Sequence, residues 1–158
     1  MRIRTATVAD AVELAELRWE WRIEEEPERE ARESRGSFVE RFVDSVTSDV
    51  IEGRWTVWVA EDDDRIVSNV WVYRVPKVPN PGSASRDFGY VTNVYTKPGV
   101  RNLGIGTELM EAVKSWAHGL DLEMLIVWPS DPSLPWYRRA GFERSPEMLE
   151  LEIAGYAG

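Results

Sequence analysis

V-Y-T-K-P-G-V-R-N-L-G-I-G-T, residues Val94 to Thr107, opens as a strand, turns at Pro98-Gly99 and passes through a glycine-rich loop straight into an amphipathic helix. Arg101, Gly104 and Gly106 fall on the pattern R-x-x-G-x-G. Glycines without Cβ let peptide N–H groups approach an anion closely, and the helix that follows directs its positive end at the same point. The pattern predicts an anion cradle from Arg101 to Thr107, although a motif this short also describes a tight loop before a helix. Two better-known phosphate loops do not fit. A Walker-type loop needs G-x-x-x-x-G-K-[ST], and neither Lys nor Ser/Thr follows Gly106 in that way. A dinucleotide fingerprint needs G-x-G-x-x-G after the first strand, whereas Leu109 stands at the third glycine position and the segment lies late in the chain.

Outward from this stretch the chain reads as an alternation of helices and strands. Ile3 to Ala6 is a short edge strand, and Thr7 with Asp10 forms a variant capping box that starts a first helix. In that helix Val12, Ala15 and Trp19 share a face widened by Leu14, Leu17 and Trp21, and the acidic run before Pro27 ends it. A polar linker to Gly36 leads to a second helix from Ser37, carrying Phe38, Phe42, Val46 and Val50 at helical spacing. Trp55 to Glu61 and Ile66 to Val75 form a hairpin around Asp62-Asp63-Asp64, which lacks the spacing, Gly and Glu of a calcium loop. Pro76 to Arg86 is a loop and Phe88 to Thr96 a strand. The helix after the glycine loop runs from Thr107 to His118 and is closed by Gly119. Leu122 to Trp128 is apolar at nearly every residue, which predicts a strand central to the sheet. A short helix within Asp131 to Ala140 follows, then a last strand in which Leu149, Leu151 and Ile153 alternate with Glu150 and Glu152.

Composition narrows the function classes. The 158 residues fit one domain, 1–158, with no internal repeat and no domain linker. No cysteine is present, which excludes disulfides, thiolate metal sites and an acyl-cysteine intermediate; no metal is expected. His118, the single histidine, sits where a helix end favours a cation, so a Ser-His-Asp triad is not expected. A formal charge of −9 argues against a nucleic-acid partner and is compatible with a cationic substrate as well as with simple solubility. No apolar run reaches the length of a membrane span and no signal-peptide core follows Met1, so no membrane partner and a cytoplasmic location are expected.

The strand, Pro-containing turn and R-N-L-G-I-G together resemble the signature of the GNAT superfamily of acyl-CoA-dependent N-acyltransferases. Tyr137-Arg138-Arg139-Ala140-Gly141-Phe142 is similar to the family's Y-x-x-x-G-F segment and lies at a familiar distance downstream. Two ordered motifs select this resemblance over the plain loop. It extends over essentially the whole chain, by element order alone in the N-terminal half. The resemblance implies an α/β (α+β) fold: a mixed, mostly antiparallel twisted sheet of about six to seven strands flanked by about four helices, in the order β-α-α-β-β-β-α-β-α-β.

For function the resemblance implies acetyl-CoA as acyl donor, used by direct transfer in a ternary complex to a small-molecule primary amine. The backbone of Val94, Tyr95 and Thr96 would hold the pantetheine and acyl end, and Arg101, Asn102, Leu103, Gly104, Ile105, Gly106 and Thr107 the diphosphate. Ser130 and Ser133 stand where relatives often have Asn and Ala, and their hydroxyls are assigned to the pantetheine arm. Tyr137 takes the role of general acid toward the leaving thiolate, against the plain alternative of a packed aromatic. The residues do not single out a general base; the nearest carboxylate on the cofactor strand, Asp87, is nominated. Trp19, Trp21, Glu24 and Glu25, with Trp128, are expected to line an acceptor pocket, the rings by cation-π attraction and the acids by ion pairing. A homodimer is expected, since relatives commonly pair and eight tryptophans exceed what a small core needs. Rival readings are a noncatalytic acyl-CoA-binding module and a protein acetyltransferase, which would need a peptide groove.

Overall fold

A computed structural model describes residues 1–51, 53–82 and 86–151, without the side chains of 48–51. The chain divides into two compact units, Met1–Trp128 and Pro129–Gly158. In the first, a sheet in the order β1-β2-β3-β4-β5 is formed by β1 (Arg2–Thr5), β2 (Trp55–Asp62), β3 (Arg65–Val75), β4 (Phe88–Thr96) and β5 (Leu125–Val127). The first three junctions are antiparallel and β4·β5 is parallel. The helices are α1 (Ala11–Glu25), α2 (Arg35–Ile51) and α3 (Ile105–Gly119), with α4 (Leu134–Arg139) in the second unit.

Local chemistry accounts for the punctuation. The Asp10 carboxylate accepts the Thr7 N–H at 2.7 Å, closing the capping box ahead of α1. Asp63 and Asp64 both have positive φ, 46° and 60°, the geometry of a two-residue hairpin turn whose twist matches the strands it joins. Helix α3 stops where the Leu122 N–H bonds the Ala117 carbonyl and the Asp121 N–H that of His118. The left-handed residue of this stop is Asp121, at φ 52°, and not Gly119, which is still helical.

Apolar side chains of α1 and α2 cover one sheet face: Leu14, Leu17, Val57, Val59, Ile66, Trp71 and Tyr95 are buried together, with Phe42, Val46 and Trp55 packed against them. Val12, expected on this face, is 55% exposed, and Ala11 and Leu14 take its place. Gly89 permits close packing of β4 on its neighbours, because a Cβ there would lie 2.6 Å from Leu125 Cδ2 and 3.0 Å from Val72 Cγ1.

Two sequence expectations about the sheet are corrected. Among the described residues it has five strands, not six to seven. Leu149 and Leu151 are 97% and 84% exposed in irregular backbone, so the described part of the expected last strand is absent; residues 152 and 153 lie outside the described residues. The run Leu122 to Trp128 supplies only the short β5, which is the sheet edge and half-buried, not its centre. Apolar composition reports burial on two faces, but not the number of strand neighbours. No described helix is long and apolar enough to cross a membrane.

Candidate active site

Strand β4 is interrupted where the site begins. Its register against β3 shifts between Asn69↔Tyr95 and Trp71↔Thr92, so β4 carries a bulge at Asn93-Val94. Asn93 adopts a left-handed φ of 48°, a conformation that Asn tolerates better than β-branched neighbours do. The buried Asn69 side-chain amide donates to the Asn93 carbonyl and pins the bulge. Pairing with β5 ends at Val91↔Val127, so β5 offers no partner to Asn93, Val94, Tyr95 or Thr96. The bulge therefore leaves a backbone edge open beside the glycine loop.

That loop carries the second half of the site. Asn102 and Gly104 have positive φ, 64° and 85°, and Gly104 is the residue from which α3 starts. The Arg101 N–H is taken by the Pro98 carbonyl at 3.3 Å and the Thr107 N–H by Gly104 at 2.9 Å. Between them, the amides of Asn102, Leu103, Gly104, Ile105 and Gly106 have no protein acceptor among the described residues. Consecutive unbonded amides at the positive end of a fifteen-residue helix have the donor chemistry that suits a diphosphate. This donor set fits the diphosphate of coenzyme A, and the open edge at Val94 to Thr96 fits its amide-bearing arm. The unbonded amides span a shorter stretch than the segment Arg101 to Thr107, whose two end N–H groups are bonded within the protein.

Arg101 does not project its charge freely. Its two Nη atoms donate to both carboxylate oxygens of Glu24 at 2.7 and 2.8 Å, its Nε to the Thr96 carbonyl at 2.8 Å, and its guanidinium lies 5.4 Å from the Tyr95 ring centroid. The Tyr95 hydroxyl donates to the same carboxylate at 3.1 Å. Arg101, and then Tyr95, hold Glu24 below the usual carboxylate range. Burial first, and Glu24 second, push the Tyr95 phenol up to about 12, so it stays protonated. The end of α1 is thereby fastened to the loop that starts α3.

On the α1 face of the bulge, Trp21 stacks on Tyr95 with centroids 6.1 Å apart, and Arg18 lies 4.6 Å from the Trp21 ring. Trp128, 57% exposed, meets Tyr90 edge-on at 4.9 Å. Glu25, expected in the same pocket, pairs with Arg22 at 2.6 Å at the end of α1. Asp87 precedes β4 and is bonded by Arg74 Nε at 2.6 Å. At about 3.3 Å per residue its distance from Val94 is roughly 20 Å, so this carboxylate and the bulge lie at opposite ends of the strand.

The second unit carries the remaining residues. The Ser133 hydroxyl donates to the Ser130 carbonyl at 2.8 Å and the Ser130 hydroxyl to Ser133 at 3.1 Å, so both close the turn that opens α4. Tyr137 is buried, edge-on to Trp136 and to Phe142. The Gly141 N–H bonds the Arg138 carbonyl and the Phe142 N–H that of Tyr137, with Gly141 at φ 94°. The spacing Y-x-x-x-G-F is thus a helix stop in which the last aromatic packs back on the tyrosine one turn earlier.

A model of the acetyltransferase (GNAT) family matches residues 11–142. The chain belongs to this family. No curated protein matches it significantly. Among solved structures it is similar to a predicted acetyltransferase from Clostridium acetobutylicum crystallised with acetyl-CoA, at 22% identity over 99% of each chain with a TM-score of 0.76. A GCN5-related N-acetyltransferase from Ralstonia eutropha JMP134 gives 22% identity over 98% of this chain and 99% of that one, with a TM-score of 0.71. A ribosomal-protein-alanine N-acetyltransferase from Brucella melitensis biovar Abortus 2308 gives 18% over 97% and 99%, with a TM-score of 0.68. The protein is accordingly a GNAT acyltransferase that depends on acetyl-CoA. The sequence reading passed over Arg18, Asn93 and Asn69. Arg18 had a signal: it sits between Leu14 and Trp21 at helical spacing, a cation in an apolar stripe.

Proposed function

We propose that this GNAT protein moves an acetyl group from acetyl-CoA to the primary amine of a small molecule within a ternary complex. The observation that carries the reading is the run of unbonded amides from Asn102 to Gly106 directly beside the bulged, open end of β4. When bound, the cosubstrate supplies a thioester carbonyl open to attack by a neutral amine. The amides from Asn102 to Gly106 hold its diphosphate, and the backbone of Val94, Tyr95 and Thr96 orients its arm. A peptide N–H fixed at the bulge stabilises negative charge developing beside it without reorganising. Trp21 and Trp128 border the acceptor. Tyr137 is assigned as general acid from its motif alone and delivers its hydroxyl proton to the departing sulfur, while the proton lost by the attacking amine passes to water and Tyr137 is reprotonated from solvent. Asp87 is not carried forward as base, because Arg74 holds it at the far end of β4.

The family match runs from residue 11 to residue 142, across both compact units, which supports reading them as one catalytic domain. A homodimer and a cytoplasmic setting belong to the same proposal. The test is a thermal-shift comparison of CoA, acetyl-CoA, NAD and ATP, followed by CoA release on an amine panel that includes a peptide. Stabilisation by CoA and acetyl-CoA is expected, since a ligand of the native state raises its melting temperature. Tyr137→Phe is expected to lower CoA release by about 10²-fold or more while acetyl-CoA binding is retained. Stabilisation by NAD or ATP alone would refute the reading.

A further inference from the structure

Arg18 is a partly buried cation for which no described carboxylate supplies an ion pair. Its Nη1 donates to the Asn93 side-chain oxygen at 3.0 Å, and its guanidinium faces the Trp21 ring. The charged groups around it are otherwise engaged. Arg22 is bonded to Glu25 and Glu26, and Arg29 to Glu26, while Tyr90 approaches from β4. Burial, and then the neighbouring Arg22, lower the Arg18 pKa to about 10, so it remains charged at neutral pH in a place that disfavours charge. Keeping such a group unpaired is unfavourable until an anion meets it.

Its position says what the anion is attached to. Asn93 is the bulge residue, and Val94, next to it, begins the open edge proposed for the acyl end. An anion on Arg18 therefore lies within a side chain's length of the place where the amine must be presented. We propose that Arg18 anchors the carboxylate of the acceptor, and that the acceptor is an amino acid whose amine and carboxylate are separated by only a few bonds. A guanidinium fork matches a carboxylate, and one guanidinium without an ion pair among the described residues fits a monoanion better than a phosphate dianion. Trp21, Tyr90 and Trp128 give the remainder of the molecule an aromatic wall. This inference rests on the acyl-transfer reading, with Arg18 as a specificity residue.

The experiment measures CoA release from acetyl-CoA with paired acceptors that differ only in the carboxylate: phenylalanine and phenethylamine, tyrosine and tyramine, lysine and cadaverine. The wild-type protein is expected to favour the acid of at least one pair. In Arg18→Met the ratio of kcat/KM, acid over amine, is expected to fall about 30-fold or more through KM, and Arg18→Lys to restore part of it. A preference for the decarboxylated member in every pair, or equal losses on both members in Arg18→Met, would overturn the anchor and leave acetyl transfer standing. If no amine is turned over, the transfer reading fails. The anchor is then judged by whether the same acids raise the melting temperature of the CoA-loaded wild-type protein but not of CoA-loaded Arg18→Met. Variant folding is checked by the CoA-induced shift itself, and Arg18→Lys replaces Arg18→Met if the latter shows none, a lower acid-over-amine ratio or acid-induced shift supporting the anchor and an unchanged one overturning it.

Discussion

Three carboxylates show how differently one functional group is used along this chain. Glu24 receives Arg101 and Tyr95 and ties α1 to the glycine loop, whereas Asp87 receives Arg74 and serves the β3–β4 end of the sheet. Asp10 takes both Nη atoms of Arg4 at 2.8 Å while also holding the Thr7 N–H. Arg4 is the main reason its pKa drops from 3.8 to about 2. A carboxyl whose folded pKa is depressed stabilises the fold above its unfolded pKa and loses that contribution as pH falls through the folded value. The melting temperature is therefore expected to decline between pH 3.8 and about 2 partly on account of Asp10. Asp10→Asn should flatten that decline and lower stability at neutral pH by roughly 1 kcal/mol, read from urea unfolding. An identical pH profile in the variant would remove Asp10 from this role.

Elements here do their work at their ends and irregularities. The bulge in β4 changes which residues share a face, so Tyr95 reaches the α1 core and its hydroxyl meets Glu24. The start of α3 turns on Gly104, whose φ of 85° a residue with a Cβ adopts only under strain, although open space surrounds it. Gly104→Ala is therefore expected to cost about 1 kcal/mol of stability from backbone strain alone. The same change should weaken CoA binding by about tenfold, measured by calorimetry, because it reorients the amides on either side. A stability loss with unchanged CoA affinity would show that those amides are not the cradle. The stop after α4 uses the same logic in reverse, with Gly141 at positive φ and Phe142 folded back on Tyr137.

At the level of the whole molecule, the proposed homodimer draws on apolar groups that the described residues leave uncovered, Trp128 at 57% exposed and Leu149 and Leu151 higher still. Light scattering or native mass measurement at working concentration is expected to give twice the chain mass of 18.1 kDa; monomer throughout would defeat it. How much of this protein is legible in its residues depends on the range of the forces involved. The hairpin at Asp63-Asp64, strand Phe88 to Thr96 and the loop into α3 follow from neighbours in sequence, through side-chain branching, turn conformations and the missing Cβ of glycine. The Y-x-x-x-G-F stop is likewise local, since its bonds join residues only a turn apart. The fate of Leu149 to Leu151 is not, because alternation shows that a strand would have one apolar face but cannot supply the neighbour with which to pair. Nor is the edge position of β5, the bulge at Asn93, or the meeting of Arg18 with Asn93 and of Glu24 with Arg101. Those contacts join residues far apart in the chain, and only the packing of α1 across β4 brings their charges and dipoles within reach of one another.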